Sequence, residues 1–386
     1  MYKRHLIVTV ASASIFLFGA GLITLGSVIP DLKAKFTLDD VAVGGLFSIL
    51  PFGILIGSLL FGPIADRLGY QVMLGVSCLL MFLGMKGIAS TDSLLILKLA
   101  VFCFGTGGGA INGGTSAVVS DISEKKGAAL SLLGVFFGLG ALSLPLIFAA
   151  LKEFSANEII ISVLSWMAFA IATLIFFIRF PSPKHLTKFP LSAAAALIKN
   201  RFLLLVACFL FCQSSFEGII NNWTILYLTQ HFHFPAEQAL FALSVLMMGT
   251  TLMRLITGTA LRNLPPLKII YLSLALILAG IVLLQWGGEI FLSATGLFLL
   301  GSGLAGGFPI MLGFVGQRFP ELSGTAFSFV LVVALTGNML VNYFMGIIAQ
   351  RFGIGQLISF CYAELIVMAI IFAFIASAVK KPASGS

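Results

Sequence analysis

The stretch GPIADRLGY, residues 62–70, is a short charged turn between two long apolar segments. Each flanking segment has about 20 residues, which is enough for an α-helix to cross about 30 Å of hydrocarbon. Twelve such segments follow one another along the chain, at 6–29, 40–62, 70–89, 93–119, 127–150, 157–178, 201–230, 236–261, 267–286, 289–314, 323–349 and 355–379. The sequence therefore predicts an all-α polytopic membrane protein with twelve transmembrane helices, called spans one to twelve below.

The composition excludes an ordinary soluble domain. Of the 386 residues, 59% are hydrophobic and 9% are charged, and the mean hydropathy is +1.12. A soluble domain is about 25% charged. The five cysteines all lie in apolar spans without the spacing of metal ligands. We therefore expect the lipid bilayer as the surroundings of the chain, and neither a metal site nor a cofactor.

The distribution of lysine and arginine predicts the orientation. If both termini are cytoplasmic, fifteen basic residues fall on the inner face and six on the outer face, with Arg254 inside a span. Cytoplasmic loops carry such an excess. We therefore expect a multi-pass protein of a bacterial plasma membrane with both termini in the cytoplasm. The net charge of +8 reflects this topology, so no nucleic-acid partner is expected.

The longest hydrophilic connection, RFPSPKHLTKFPLSAAAALIKNR (179–201), joins spans six and seven. Its three prolines and five basic residues are typical of a cytoplasmic linker. We assign residues 1–180 to an N-terminal six-helix half, 181–200 to the linker and 201–386 to a C-terminal six-helix half.

The two halves repeat each other. DISEKKGAALS (121–131) aligns with RFPELSGTAFS (318–328), and GTG (105–107) aligns with GSG (301–303). Parallel six-span repeats are typical of transporters whose substrate site lies near the bilayer midplane between the halves. The sequence has no nucleophile–base pair and no soluble catalytic domain, which disfavours a membrane enzyme or receptor.

The opening turn carries a family resemblance. Gly62, Asp66, Arg67 and Gly69 resemble the G-x-x-x-D-R-x-G loop between the second and third helices of the major facilitator superfamily. The resemblance implies two pseudo-symmetric six-helix halves, alternating access to a small-molecule substrate, and a gating role for this loop. We also expect a monomer. Tyr70 stands where a basic residue is usual, so the gating contacts of the loop differ from the family pattern.

Three longer segments, at 16–32, 120–147 and 215–228, are similar to the fucose permease-like sugar:proton symporters of that superfamily. In that group span seven carries an acid, a tryptophan six residues later and then a Tyr-Leu pair. The corresponding residues here are Glu217, Trp223, Tyr227 and Leu228. The resemblance implies a sugar substrate, a coupling proton, and substrate contacts by these side chains.

One departure from that group concerns proton coupling. Its proton-coupled members carry acids in spans one and four. This chain has Thr24, Gly26 and Ser27 in span one and Asn112 in span four. The proton-coupling positions of the group therefore cannot be assigned in this chain, and a uniporter remains an alternative.

Three ionisable residues lie inside predicted spans: Glu217, Arg254 and Glu364. Each costs about 3 kcal/mol at mid-bilayer, so such residues usually face a cavity or a partner. Glu217 and Glu364 are the candidates for proton coupling. Three alternatives remain: a structural pairing of Glu217 with Arg254, a helix–helix hydrogen bond of Glu364, and an Arg254 side chain that reaches the membrane interface.

Polar residues at helical spacing predict a shared polar cavity. Span seven has Gln213, Glu217, Asn221 and Thr224 along one stripe, next to Asn222 and Trp223; span eleven has Asn338 and Asn342, and span four has Asn112 and Ser116. Amides match the paired donor and acceptor character of sugar hydroxyls. Each pair alone is also typical of interhelical hydrogen bonding, and a tryptophan is equally typical of the membrane interface. The two adjacent asparagines of span seven also predict a discontinuous helix.

The stretch GTGGGAINGG (105–114) lies inside an apolar span without a preceding strand. It therefore predicts close helix packing and not a phosphate-binding loop. Asn112 is its one amide side chain, and we expect it at the substrate site.

The leading hypothesis is a secondary active or facilitative transporter of a small polar solute, a monosaccharide or related polyol. The alternative is a proton-driven exporter of amphipathic compounds, which an aromatic content of 12% would suit.

Overall fold

The computed structural model describes residues 3–124, 126–151, 157–182, 199–261 and 263–380. Regular structure in these ranges is helical. The α-helices, numbered in chain order, are α1 Arg4–Lys35, α2 Asp40–Ser90, α3 Leu94–Ile122, α4 Lys126–Leu151, α5 Asn157–Phe177, α6 Arg201–His231, α7 Ala236–Gly258, α8 Pro266–Gln285, α9 Ile290–Leu304, α10 Gly307–Arg318, α11 Ser323–Phe352 and α12 Gln356–Lys380. The 3-10 turn Pro320–Leu322 precedes α11.

Eleven helical segments in the described ranges are long and apolar enough to cross a membrane. The longest, α2, has 51 residues, which corresponds to about 77 Å and more than twice the hydrocarbon thickness. Its helical geometry is broken at Gly69, where φ is 82° and ψ is 163°. Glycine adopts such a positive φ without strain. The break falls in the turn that the sequence predicted between spans two and three.

The contacts of α3 show that the two arms of α2 run in opposite directions. Before Gly69, successive residues of α2 approach successively later residues of α3, whereas after Gly69 they approach successively earlier ones. The close approaches are Leu50 to Gly105, Ile54 to Gly109, Met73 to Gly114 and Gly84 to Phe104. α2 therefore supplies spans two and three, while α9 and α10 together form span ten. The prediction of an all-α protein with twelve spans is confirmed.

The glycines of span four allow direct backbone contact. A Cβ atom built at Gly109 would lie 2.2 Å from the carbonyl oxygen of Ile54, and one built at Gly57 would lie 2.0 Å from that of Thr106. No side chain fits at such separations, so spans two and four can approach this closely only with glycine at these positions. The glycine-rich stretch is thus a packing surface within a continuous helix.

The halves contact each other mainly near one face of the bundle. We call the face that carries Arg4, Gly69 and Lys380 the termini face, and the opposite one the far face. Inter-half contacts on the far side of the bundle join Gly26 to Asn221, Gly44 to Gly346, Ser48 to Met339 and Asp40 to Gln350. The halves are therefore sealed together toward the far face.

Span seven is one unbroken helix. Its start is fixed by Asn200, whose side chain accepts hydrogen bonds from the backbone N–H groups of Phe202 and Leu203. The helix then continues through Asn221 and Asn222, so the prediction of a discontinuity there is wrong. Helix propensity is a weak preference that packing overrides. The interruption lies instead in span ten, between α9 and α10.

The predicted linker, 181–200, falls largely on residues 183–198, which lie outside the described residues. The exact bounds of the two halves, 1–180 and 201–386, stay predictions.

Candidate functional site

A cavity of about 780 Å³ lies between the two halves. Its polar lining comes from both halves: Ser58, Asn112 and Ser116 from the first, and Glu217, Asn221, Asn222, Arg254 and Asn338 from the second. Its volume is within the range of about 300–1,000 Å³ that is common for small-molecule sites. The arrangement can therefore surround a small solute with groups that belong to both halves.

The cavity is accessible from the termini face. Ser58, Ser116 and Leu130 line it and lie near the ends of their spans at that face. Toward the far face it meets the contacts that seal the halves together, such as the hydrogen bond from the Ser48 hydroxyl to the Met339 carbonyl oxygen, 2.7 Å long. The structure is thus open on one side and closed on the other.

Asn112 is the polar side chain of span four that projects into this space. Its side chain is exposed in the cavity, and no hydrogen-bond partner is found for it in the described part of the chain. Ser116 lines the cavity one helical turn later. An amide without a protein partner is available to a ligand as both donor and acceptor.

Glu217 and Arg254 form an ion pair in the wall of the cavity. The Arg254 Nη2 atom lies 3.8 Å from Glu217 Oε1, and the two side chains are 34% and 33% exposed. Since the distance exceeds that of a hydrogen bond and both groups are partly solvated, the pair contributes at most about 1 kcal/mol. The predicted pairing therefore exists, and both charged groups also face the cavity.

Asn221 and Asn222 both line the cavity, but their surroundings differ. Asn221 is partly exposed, whereas Asn222 is buried and its Nδ2 donates to Asn342 Oδ1 at 3.1 Å. Asn221 can therefore contact a solute directly, while Asn222 is held by span eleven.

Asn342 is the centre of a buried hydrogen-bond network. Its Oδ1 accepts from the indole Nε1 of Trp223 at 3.2 Å, and its Nδ2 donates to the Asn338 carbonyl oxygen at 2.8 Å and to Asn338 Oδ1 at 2.9 Å. Asn338 in turn donates to the Ser214 carbonyl oxygen at 2.8 Å and reaches the edge of the cavity. This network joins spans seven and eleven of the second half.

Trp223 and Tyr227 lie behind the cavity wall. The Trp223 side chain is fully buried and packs edge-on against Phe47, with ring centroids 5.3 Å apart. Tyr227 is 1% exposed and stacks on His231. Neither lines the cavity in this conformation, so their predicted substrate contacts remain untested predictions.

Gln213 is also turned away from the cavity. It is 1% exposed, and its Nε2 donates to the Leu304 carbonyl oxygen at 2.8 Å. Leu304 ends α9, where helix carbonyls lose their own partners. Gln213 therefore caps the interruption of span ten in this conformation.

Glu364 is buried between spans seven and twelve and does not line the cavity. The Ser215 hydroxyl donates to its Oε1, while Oε2 is buried without a hydrogen-bond partner among the residues that the structure describes. The helix–helix hydrogen bond considered from sequence is present.

The loop at 62–69 lies at the termini face. Gly69 makes the turn, Gly62 is buried, and Asp66 and Arg67 are exposed, with no ion pair found for either within the described ranges. The gating role of these residues stays a prediction. The next residue forms a contact that the sequence did not suggest, since the Tyr70 hydroxyl donates to Asp121 Oδ2 at 2.8 Å.

Sequence reasoning missed the aromatic part of the lining. Four phenylalanines, Phe18, Phe137, Phe308 and Phe327, face the cavity. With 37 phenylalanines in the chain, most of them were expected to face lipid or to pack between helices, and no sequence signal separates these four. Metal ligation finds no support, because the described residues contain no group of three or more His, Cys, Asp or Glu side chains that could hold an ion.

A cavity between two six-span halves, open toward one face and sealed toward the other, defines a membrane transporter of the alternating-access class. The family model of the Major Facilitator Superfamily matches residues 11–341, and the chain belongs to this superfamily. The fold and the family are therefore those of membrane transporters.

Two curated relatives illustrate the relationship. The inner membrane transport protein YdiN of Escherichia coli K12 is 27% identical over 135 residues, which cover 35% of this chain and 32% of YdiN. The match therefore spans about a third of that relative. The glucose/mannose transporter GlcP of Bacillus subtilis strain 168 is 23% identical over 350 residues, which cover 86% of this chain and 85% of GlcP.

Solved structures share the fold. A mutant form of the nucleoside transporter NupG superimposes with a TM-score of 0.83 at 15% identity, covering 97% of this chain and 100% of NupG. A D-xylose-proton symporter superimposes with a TM-score of 0.80 at 13% identity, covering 96% of each chain. At these identities the similarity concerns the fold alone.

Proposed function

We propose that the protein carries a neutral polyhydroxy solute, a monosaccharide or related polyol, across the membrane. The observation that carries the proposal is that amide and hydroxyl side chains of both halves face one cavity. Asn112 and Ser116 lie on one side, and Asn221 lies on the other. Each sugar hydroxyl both donates and accepts, as an amide does, so a solute bound between these residues would bridge the two halves.

The remainder of the lining suits the apolar face of a sugar ring. The four phenylalanines of the cavity supply flat apolar surfaces, while the polar groups fix orientation, which is the usual division of roles in small-molecule sites. The similarity to GlcP over most of the chain supports the same substrate class. The finer resemblance to the fucose permease-like group is part of this proposal.

Flux in reconstituted vesicles tests the substrate class. We expect labelled hexoses to enter vesicles that contain the protein, and unlabelled hexoses or polyols to compete. Asn112→Leu should weaken solute binding about 5- to 150-fold, because two lost hydrogen bonds to a ligand correspond to about 1–3 kcal/mol. If no member of a broad sugar panel enters or competes, the sugar assignment is wrong.

Glu217 is the proposed site of proton coupling. It is an acid that lines the cavity, and it lies beside Arg254 and one helical turn from Asn221. Protonation of Glu217 would remove its charge and break its ion pair with Arg254. Proton binding and solute binding would then affect the same wall of the cavity. Glu364 is unsuited to this role in the present conformation, because it does not line the cavity.

Two matched substitutions separate these acids. Glu217→Gln should abolish the response of uptake to a pH gradient while solute exchange at equal concentrations continues. Glu364→Gln keeps the oxygen that accepts from Ser215 and should retain gradient-driven uptake. The opposite pattern would assign coupling to Glu364, and gradient dependence in both variants would exclude both.

A second candidate is the proton-driven export of amphipathic compounds. The four phenylalanines of the cavity favour it, because they offer a larger apolar surface than a sugar requires. A deletion strain tested against a panel of amphipathic drugs distinguishes the two: increased drug sensitivity without a defect in sugar uptake would favour export.

We further propose that the protein is a monomer of a bacterial plasma membrane with both termini cytoplasmic, so that the cavity faces the cytoplasm. Arg67→Cys, at the exposed turn of the termini face, should be labelled by a membrane-impermeant maleimide only after permeabilisation of the cells. Labelling of intact cells would reverse the orientation.

A further inference from the structure

A second cavity, of about 640 Å³, lies beside the first between spans five, eight and ten. Spans five and eight belong to different halves. The two cavities share Leu130, Gly134 and Arg254 in their linings. We call this second cavity the side wedge. The solute site proposed above does not account for it.

The shape of the side wedge follows from one close contact. A Cβ atom built at Gly138 would lie 2.7 Å from Thr251 Oγ1, so spans five and eight touch there. From this point toward the termini face the two spans line a cavity instead of packing against each other. The lining runs from Leu130 to Gly138 on span five, and from Thr251 to Thr259 at the end of span eight. The side wedge therefore widens from mid-membrane toward the termini face.

The lining of the wedge includes exposed apolar side chains. Leu130 and Leu255, one on each span, line it and are 39% and 43% exposed. Val135, Ile269 and Ile310 add further apolar walls. Such apolar walls suit acyl chains better than a dissolved solute. They offer apolar contact surface and few groups that could form hydrogen bonds with a solute.

A cation and hydroxyl groups lie within these walls. The Arg254 guanidinium has five N–H donors, and its ion pair with Glu217, at 3.8 Å, engages one side of it. Thr251 and Thr257 also line the wedge. Arg254 stands four residues before the end of α7, about 6 Å along the helix axis, and its long side chain can reach the level of lipid headgroups. Lys268, at the start of span nine, adds an exposed positive charge beside the lining residue Ile269.

We propose that the side wedge binds an anionic phospholipid from the leaflet at the termini face. The phosphate group would lie against Arg254 and the Thr251 hydroxyl, since the Thr257 hydroxyl donates to the backbone, and the acyl chains would lie along the exposed Leu255 of span eight. Guanidinium groups recognise phosphate through paired N–H donors, and positive residues attract anionic lipid. The lipid would share Arg254 with Glu217, so its presence would change the balance of charge at the main cavity without entering it.

Two glycines make a matched test. A Cβ atom built at Gly258, in the wedge, has no neighbour within 4 Å, and the same is true at Gly313 on α10, which lines neither cavity. Both positions therefore have room for a larger side chain. Gly258→Leu fills the wedge and should lower the binding of phosphatidylglycerol at least tenfold, while Gly313→Leu should bind as wild type does.

Native mass spectrometry and thermal shift of the full-length protein in detergent provide the readout. Phosphatidylglycerol should stay bound and raise the Tm, whereas phosphatidylcholine with the same acyl chains should do neither. Equal binding of the two lipids, or equal binding by Gly258→Leu, would overturn the proposal. A Tm shift of the same size with inorganic phosphate alone would mean that the wedge binds a free anion and not a lipid.

Two variants of Leu255 that differ in charge test the proposal if Gly258→Leu fails to fold. Leu255 is exposed, so it tolerates a polar replacement more readily than a buried residue does. Leu255→Glu should repel the phosphate and abolish phosphatidylglycerol binding, while Leu255→Gln should retain most of it. Retention by both variants would place the lipid elsewhere. None of these measurements depends on the identity of the transported solute.

Discussion

Replacement of Asn342 by leucine should destabilise the fold while solute affinity stays nearly unchanged. The side chain of Asn342 is fully buried, and its Oδ1 accepts hydrogen bonds from Asn222 and Trp223. Its Nδ2 donates to Asn338. Leucine has the same number and branching of heavy atoms but no polar atom, so the substitution removes these bonds without leaving a large cavity.

The magnitude follows from what each partner loses. The indole N–H of Trp223 is fully buried, and an unsatisfied buried donor costs about 1–3 kcal/mol. Asn222 and Asn338 reach the cavity, where water can replace the lost partner, so each costs only about 0.6 kcal/mol, the average for an interhelical hydrogen bond in a membrane protein. Together these terms predict a loss of about 2–4 kcal/mol.

The free energy of unfolding can be measured by titration with a denaturing detergent in mixed micelles, and solute affinity by calorimetry on the folded protein. Asn112→Leu is the control, because Asn112 is exposed in the cavity. It should change stability by less than about 0.5 kcal/mol and weaken solute binding. If Asn342→Leu is as stable as wild type but no longer binds solute, Asn342 contacts the substrate and the buried network is not its role.

Three further substitutions test other parts of the structure. Gly57→Ala places a methyl group against the backbone of span four and should cost about 1–3 kcal/mol in detergent unfolding, whereas Gly45→Ala, with open space around it, should not destabilise. Gln213→Leu leaves the carbonyl of Leu304 without its donor and should speed amide hydrogen exchange at the end of α9. An unchanged exchange rate would contradict this expectation. Gly44→Leu pushes the halves apart at the far face and should increase thiol labelling of a cavity cysteine from that side; unaltered labelling would mean that this contact does not seal the cavity.

Much of the fold follows from simple periodicities. Apolar segments of membrane-crossing length predicted the twelve spans, and a glycine within a short charged turn marked the break inside α2 at Gly69. The same approach identified Asn112, Glu217 and Asn221, because isolated polar side chains in apolar helices usually face a cavity or a partner. Periodicity did not predict whether a given polar side chain faces the cavity or a neighbouring helix.

Span seven shows why. Successive residues of an α-helix are rotated by about 100°, so Gln213 lies about 80° around the axis from Asn221. That difference is enough for it to face span ten and not the cavity. Trp223 lies about 120° around the axis from Glu217, on a different face of the helix. The family pattern placed the two together as substrate contacts, whereas helix geometry separates them in the present conformation.

The contacts between halves lie mainly toward the far face, whereas those within the first half extend along whole helices, which favours rocking of whole halves. At the far face the seal between halves includes hydrogen bonds from the Ser48 hydroxyl to the Met339 carbonyl oxygen and from the Asp40 backbone N–H to Gln350 Oε1. Each such bond contributes about 0.6 kcal/mol in a membrane protein, and the close contact of Gly44 with Gly346 adds packing to this seal. Within the first half, Gly57 lies directly on the backbone of span four, and separation there would expose packed backbone along whole helices. A solute that bridges Asn112 and Asn221 can shift the populations of the two states only by its difference in affinity between them.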